Sequence, residues 1–354
     1  MIIKKIFSFA ASIISLFIFI FLFFSNSNAE DNNIKLYSKD EGVLSIMYHR
    51  FNESKYPSTN IQMDIFKKQI KIIEKSNINF IDPTIFKSEF LKPHKSKSIL
   101  LTIDDGFLSF YENAWPFLKE KKIPFILFIS TREVGNYGYI NWDQIKEIEN
   151  SKIGVIGNHS HTHEYLVDLD KDEIIKDIEK SIKIFKNKLG YNPIFFSYPF
   201  GEYKLEQKNY IKKKFKLSFG QHSGVIDVNK DKFELPRFPI NEKYGDLKRF
   251  EFLINFLPFQ YKEILPEEKF IKANKNPPEL EISFFEGQKN LKNITCYSNE
   301  GNEWEKSNIN ISDNILKINF REKFLFRRGR VNCSLNDDKG WRWFGIQFTI
   351  EQLK

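Results

Sequence analysis

The stretch SILLTIDDG, running from Ser98 to Gly106, decides the fold. Its opening SILLTI is apolar at nearly every position, the signature of a strand covered on both faces, as in parallel sheets flanked by helices. Two adjacent carboxylates, Asp104 and Asp105, follow at once, so they fall at the C-terminal end of that strand. Active sites of barrels and open α/β sheets form on that edge. Asp105-Gly106 taken alone also reads as an ordinary turn.

Working outward, Val43–Tyr48 reads as a strand, and Asp64 as the cap of a helix in which Ile65, Phe66, Ile70 and Ile73 recur at helical spacing. Pro124–Ile129, Ile153–Ile156 and Pro193–Tyr198 supply further strands. Helical patterns lie near Phe110–Glu120, Asp143–Ile148 and Asp172–Leu189. Alternation of this kind predicts parallel α/β architecture. After Leu257 come Pro258, Pro266, Pro277 and Pro278, and then a different texture. Leu280–Phe285, Ile309–Ile311, Ile315–Phe320 and Phe344–Ile350 read as strands between polar turns, the pattern of a small β-sandwich-like domain. The expected division is residues 1–29 as a signal peptide, 30–257 as an α/β domain, 258–279 as a linker and 280–354 as a β-rich domain.

Among the 354 residues 41% are hydrophobic and 28% charged, enough for a substantial core and incompatible with overall disorder. The 54 basic and 46 acidic residues give a formal charge of +8, spread along the chain without basic blocks. A nucleic-acid partner is therefore not expected. Lys4 and Lys5 precede an apolar run from Ile6 to Phe24, and Ser27-Asn28-Ala29 has the small-x-small form of a cleavage site. This predicts export with cleavage after Ala29, to the periplasm, the cell surface or the medium. Left uncleaved, the run is nearly long enough to span a bilayer and would tether the protein to a membrane. In an exported chain Cys296 and Cys333 are expected to form a disulfide, the alternative being two separate buried thiols.

Asn158-His159-Ser160-His161-Thr162-His163 follows the strand Ile153–Ile156. On a helical turn His159 and His163, at i and i+4, would present imidazoles to one side and His161 elsewhere, the arrangement by which paired histidines hold zinc. A histidine-rich surface loop is the alternative. Together with the carboxylate pair, the cluster offers a His, His, Asp ligand set, an open position for water, and a spare carboxylate to act as general base. Zinc suits the two-nitrogen, one-oxygen donors, and cobalt, nickel or iron suit the same set. Spacing does not say which aspartate is the base.

TIDDG at 102–106 and HSHTH at 159–163 resemble the first two motifs of the polysaccharide deacetylases, the NodB-homology domain of carbohydrate esterase family 4. Met47-Tyr48-His49-Arg50, the Tyr198-Pro199-Phe200-Gly201-Glu202-Tyr203 stretch and the order of all four are similar to the same family over roughly residues 43–254. The resemblance implies a distorted (β/α) barrel, an acetylated polysaccharide as partner, Asp104 as catalytic base, and Asp105, His159 and His163 as metal ligands. It also implies a backbone N–H near Tyr198 that helps hold the oxyanion, and Ser160 steadying the loop. The family's third motif usually begins with an Arg where this chain has Ser197. Arg237, in Leu235-Pro236-Arg237-Phe238-Pro239, is the candidate to supply that guanidinium. A late Leu-x-His motif, the usual source of the general acid, is absent. His222 falls in the right region, with His49 as rival.

The implied reaction is hydrolysis of N-acetyl groups on an N-acetylglucosamine-containing polysaccharide. The YPFGEY form looks more like the branch acting on exported poly-N-acetylglucosamine than like chitin or peptidoglycan deacetylases. A non-catalytic exopolysaccharide-binding protein on the same fold and an O-acetyl esterase are the alternatives. Trp304, Trp341, Trp343 and Phe344 could stack on sugars, but alternation along a strand favours the sandwich core.

Overall fold

Strand β1 (Val43–Tyr48) is buried at all six positions and β2 (Ser98–Ile103) at all but its first. They pair in parallel from Val43 opposite Ser98 to Tyr48 opposite Ile103. Strands β3 (Phe125–Ile129), β4 (Gly154–Asn158), β5 (Phe195–Ser197) and β6 (Leu217–Phe219) continue the sheet in that order, all parallel. Leu235 bridges to Phe219, and Phe238–Pro239 pairs with Ile46 and Met47 of β1. Residues 235–239 thus stitch the last strand to the first, and the sheet becomes a distorted barrel. This computed structural model describes Leu36, residues 39–301 and residues 303–352. The apolar run Ile6 to Phe24 and the expected cleavage after Ala29 lie outside the described residues. Among those described, no helix is long and apolar enough to cross a membrane.

Helices clothe the parallel strands, and their ends follow local chemistry. Helix α1 (Met63–Lys75) buries Phe66, Ile70 and Ile73 at the expected spacing. Its N-cap is Gln62, so Asp64 is not the cap; it lies in the first turn, where a carboxylate favours the helix dipole, and pairs with Lys68 at 3.0 Å. Helix α2 (Trp142–Asn150) starts with an Asn141–Gln144 capping box and α3 (Lys171–Leu189) with an Asp170–Glu173 box, each cap being worth about 1 kcal/mol.

Beyond the barrel the backbone forms two antiparallel sheets. Strands β7 (Leu280–Ser283), β9 (Asn308–Ser312) and β10 (Ile315–Asn319) belong to one; β8 (Thr295–Ser298), β11 (Arg328–Asp337) and β12 (Gly340–Ile350) belong to the other. Ile282, Leu316, Val331, Leu335 and Phe348 fill the core they share. Cys296 and Cys333 face each other across β8 and β11 and are joined by a disulfide. The stretch 258–279, expected as a linker, carries strands instead. Leu257–Pro258 and Phe270–Ile271 pair with β12, and Glu263–Leu265 with β7. Prolines are tolerated at such short, edge-like strands, which hides them in the sequence.

Candidate metal centre and cleft

At the C-terminal end of β2 the chain turns sharply. Asp105 and Gly106 both adopt the left-handed conformation, φ 74° and 73°. Aspartate tolerates it through short side-chain hydrogen bonding, whereas at Gly106 a Cβ would also lie 2.7 Å from Ile129 Cδ1. The turn leaves Asp104 fully buried and points the Asp105 carboxylate at the loop after β4.

That loop is not the helical turn expected for His159 and His163. It is irregular, with Ser160 and His163 at φ 70° and 54°, and it is held by hydrogen bonds. The Ser160 Oγ accepts from the His163 N–H at 3.0 Å, the steadying role expected of it. Asp177 on α3 accepts from the backbone N–H groups of His161 and Thr162 at 2.8 and 3.0 Å. Asp177 went unnoticed in the sequence, yet a carboxylate on the buried face of α3, beside Ile174, Ile178 and Ser181, was a legible signal. His161 turns away and pairs its Nδ1 with Thr131 Oγ1 at 2.9 Å.

Three ligand atoms converge. Asp105 Oδ1 lies 3.4 Å from His159 Nε2 and 3.1 Å from His163 Nε2, and the three residues' ligand atoms all fall within 4.8 Å of one another. The His159 Nδ1–H donates to the Ser197 carbonyl at 2.7 Å, which fixes the tautomer and leaves the Nε2 lone pair facing Asp105. Asp105 Oδ1 and His159 Nε2 are buried with no hydrogen-bond partner, a costly state that a cation would relieve. These residues therefore fit a divalent metal. Burial alone would raise the Asp105 carboxyl, but the adjoining His163 imidazole outweighs it and holds the group well below the usual carboxylate range.

Asp104 faces Arg237. Both are completely buried, with Nη1 donating to Oδ1 at 2.6 Å and Nη2 to Oδ2 at 2.8 Å. Nη2 also donates to Ser197 Oγ at 2.7 Å, and Nε to the Gly220 carbonyl at 2.9 Å. Ser197 is the position where an Arg was expected, and the guanidinium that occupies the space reaches it from the seam at 235–239. Burial works to raise the Asp104 carboxyl, and Arg237 outweighs it, so the group stays ionised. Asp104 Oδ2 comes within 3.8 Å of His159 Nε2.

An N–H near Tyr198 was expected to help hold the oxyanion, and the Tyr198 N–H itself is engaged in the sheet. It donates to the Phe219 carbonyl at 3.0 Å within the sheet, and its side chain packs against Phe196 and Tyr203. Its neighbour Phe200 instead reaches the site, 4.8 Å from the His163 ring. His49 and His222 both line the cleft that contains Asp105 and His163. Burial, with Lys269, Lys230 and Lys208 nearby, lowers His222 to about 4. Its imidazole is therefore neutral at pH 7.

Trp304 and Trp343 line the same cleft, and Trp341 is 41% exposed, whereas Phe344 is in the core. The core expected for all four thus holds for Phe344 alone.

Residues 91–216 match the polysaccharide deacetylase family. A poly-β-1,6-N-acetyl-D-glucosamine N-deacetylase of Staphylococcus aureus is 27% identical over 250 residues, covering 61% of this chain and 85% of that protein. In fold, the chain is similar to IcaB from Ammonifex degensii, with a TM-score of 0.55, 24% identity, and coverage of 61% of this chain and 98% of that one. It is also similar to the deacetylase PplD of Streptococcus pyogenes, with a TM-score of 0.53, 21% identity, and coverage of 58% and 95%. The strand order and the Asp105–His159–His163 cluster agree with these likenesses, and it is residues 91–216 that carry the match to the polysaccharide deacetylase family.

Proposed function

We propose that the protein is a metal-dependent hydrolase that removes N-acetyl groups from an N-acetylglucosamine-containing polysaccharide and releases acetate. One observation carries the proposal: a convergent ligand set with two buried, orphaned ligand atoms adjoins a second carboxylate kept ionised by Arg237. A divalent cation held by Asp105, His159 and His163, zinc by the character of the donors, supplies Lewis acidity toward the acetamide oxygen and acidifies water.

The chain's own groups do the rest. Asp104 accepts the proton of the attacking water, and its low proton affinity keeps it ready as a carboxylate at neutral pH. Arg237 fixes the plane of that carboxylate by its two-pronged contact. Hydroxide adds to the acyl carbon, the C–N bond breaks, and the proton taken by Asp104 goes to the leaving nitrogen, giving acetate and a free amine. His222, neutral in the cleft, donates a hydrogen bond to the sugar and holds no proton in reserve.

The staphylococcal relative supports a β-1,6-linked poly-N-acetylglucosamine substrate. The disulfide supports export, with the N-terminal segment cleaved after Ala29 or kept as a membrane tether, and a catalytic part ending near residue 257. Acetate release from β-1,6- and β-1,4-linked N-acetylglucosamine oligomers and from an O-acetylated glycan tests the reading. Release from the β-1,6 oligomers above the other two is expected. Release from the ester alone would make the protein an esterase, and release from none would overturn the hydrolase reading.

A further inference from the structure

The C-terminal sheet bears directly on the cleft. Gln347 Nε2 donates to the carbonyls of Phe200 and Gly201 at 3.1 and 3.3 Å, and Arg327 and Arg328 both grip the buried Glu202 at 2.8 and 2.7 Å. Ser223 Oγ binds Asn332 at 2.9 Å and accepts from Trp343 Nε1 at 2.8 Å. Trp343 is further fixed by stacking on Phe256, with ring centroids 5.0 Å apart and planes within 9°. The loops that carry Phe200 and His222 are thus clamped by β11 and β12.

What this clamp presents to the cleft is aromatic and exposed. The cleft, of about 720 Å³, is lined by Asp105, His163 and His222 of the barrel together with Tyr297, Trp304 and Trp343 of the C-terminal part, and Phe252 of the helix Leu247–Leu253 joins them. Phe252, Tyr297 and Trp304 are 48%, 45% and 39% exposed, although large aromatic side chains ordinarily bury most of their surface. Exposed apolar surface continuous with a reaction site marks a binding surface. Flat rings with guanidinium donors beside them, here Arg328 and Arg330, suit a ligand with apolar C–H faces and hydroxyl edges, which is a pyranose.

We propose that the C-terminal β-part is the far wall of the substrate cleft, and that Tyr297 and Trp304 stack on sugar units flanking the one that loses its acetyl group. The proposal rests on the deacetylase reading and adds to it a preference for chains over single sugars. The barrel alone would have an incomplete binding site, and the aromatic residues of this wall set the length preference.

The test compares kcat/KM on a β-1,6-linked N-acetylglucosamine pentamer and dimer for the full mature chain, Trp304→Ala, Tyr297→Ala, and a control, Tyr137→Ala, at a fully exposed aromatic outside the cleft. Each cleft variant should lower the pentamer-to-dimer ratio about tenfold, the scale of one aromatic contact, and the control should keep it. Calorimetric titration of the metal-free protein with the pentamer reads binding independently of turnover, with a dissociation constant raised about tenfold in Trp304→Ala. An unchanged ratio and an unchanged dissociation constant would overturn the proposal. If the wild type turned over neither oligomer, the deacetylase reading would fail, and the titration alone would decide the fate of the wall.

Discussion

Replacing Arg237 with Met isolates the interaction on which the state of Asp104 depends. Both side chains are fully buried, and the guanidinium makes charge-assisted contacts of 2.6 and 2.8 Å to the two carboxylate oxygens. Met fills much of the vacated volume, so the dominant loss is electrostatic: a carboxylate left in the interior without its counter-charge. Breaking a buried pair in this way costs about 3–5 kcal/mol. For a domain of about 150–250 residues each kcal/mol moves Tm by roughly 2–4 °C, so thermal unfolding should shift down by about 6–20 °C. With its main stabilising partner gone, Asp104 should also rise toward protonation, and turnover should fall by about 100-fold or more. Arg237→Lys, which keeps the charge but not the fork, should fall between. Circular dichroism melts and acetate release read the two effects. In the Asp104→Asn background, Arg237→Met should cost about 3 kcal/mol less than in the wild type, since no carboxylate remains to be left without its counter-charge. A melt within about 2 °C of wild type with near-normal turnover would refute the reasoning.

Three other perturbations probe separate parts of the molecule. His222→Gln should lower kcat/KM while leaving both limbs of the pH profile above about 5 in place, because burial already holds His222 neutral there; a displaced basic limb would make His222 the proton donor. Glu234 is held at about 2, below its ordinary 4.5, by Lys208, Lys269 and His222 acting against burial. Its contribution, about 3 kcal/mol at 1.36 kcal/mol per pH unit, is complete above about 4.5 and lost as pH falls toward 2. Melts between those pH values should show a decline that Glu234→Gln flattens. Replacing both Cys296 and Cys333 with Ser opens a bridge across 37 residues, worth about 4 kcal/mol by loop entropy, and should lower the melting of the β-part measurably. An unchanged melt would assign the sheets' stability to their packing alone.

How far the sequence could be read depended on whether the determining interaction was local. SILLTI and VLSIMY are largely apolar because they are covered on both faces, so their strands could be read without tertiary knowledge. The metal ligands stand directly after such strands, and they come together as the spacing suggested. The backbone that joins them was not legible, because left-handed residues at Ser160 and His163 replace the helical turn, and Ser160 Oγ and Asp177 stabilise that path from the loop and from α3. Which N–H near Tyr198 is free was not legible for a related reason: it depends on the neighbouring strand, and β6 supplies the Phe219 carbonyl to the N–H of Tyr198 itself. The strand RGRVNCSLND shows only Val331, Cys333 and Leu335 as inward apolar positions, too weak an alternation to predict. The aromatic residues of GWRWFGIQF read as core because alternation gives the two faces of a strand but not what lies against each.

The most direct test of the account is acetate release by the mature chain stripped of metal and reloaded with Zn²⁺, with Asp104→Asn measured alongside for both metal content and turnover. The account predicts one bound zinc per chain in both proteins, release restored by zinc in the wild type, and release lost in the variant. Equal acetate release from the stripped and reloaded wild type, or full turnover by Asp104→Asn, would contradict it.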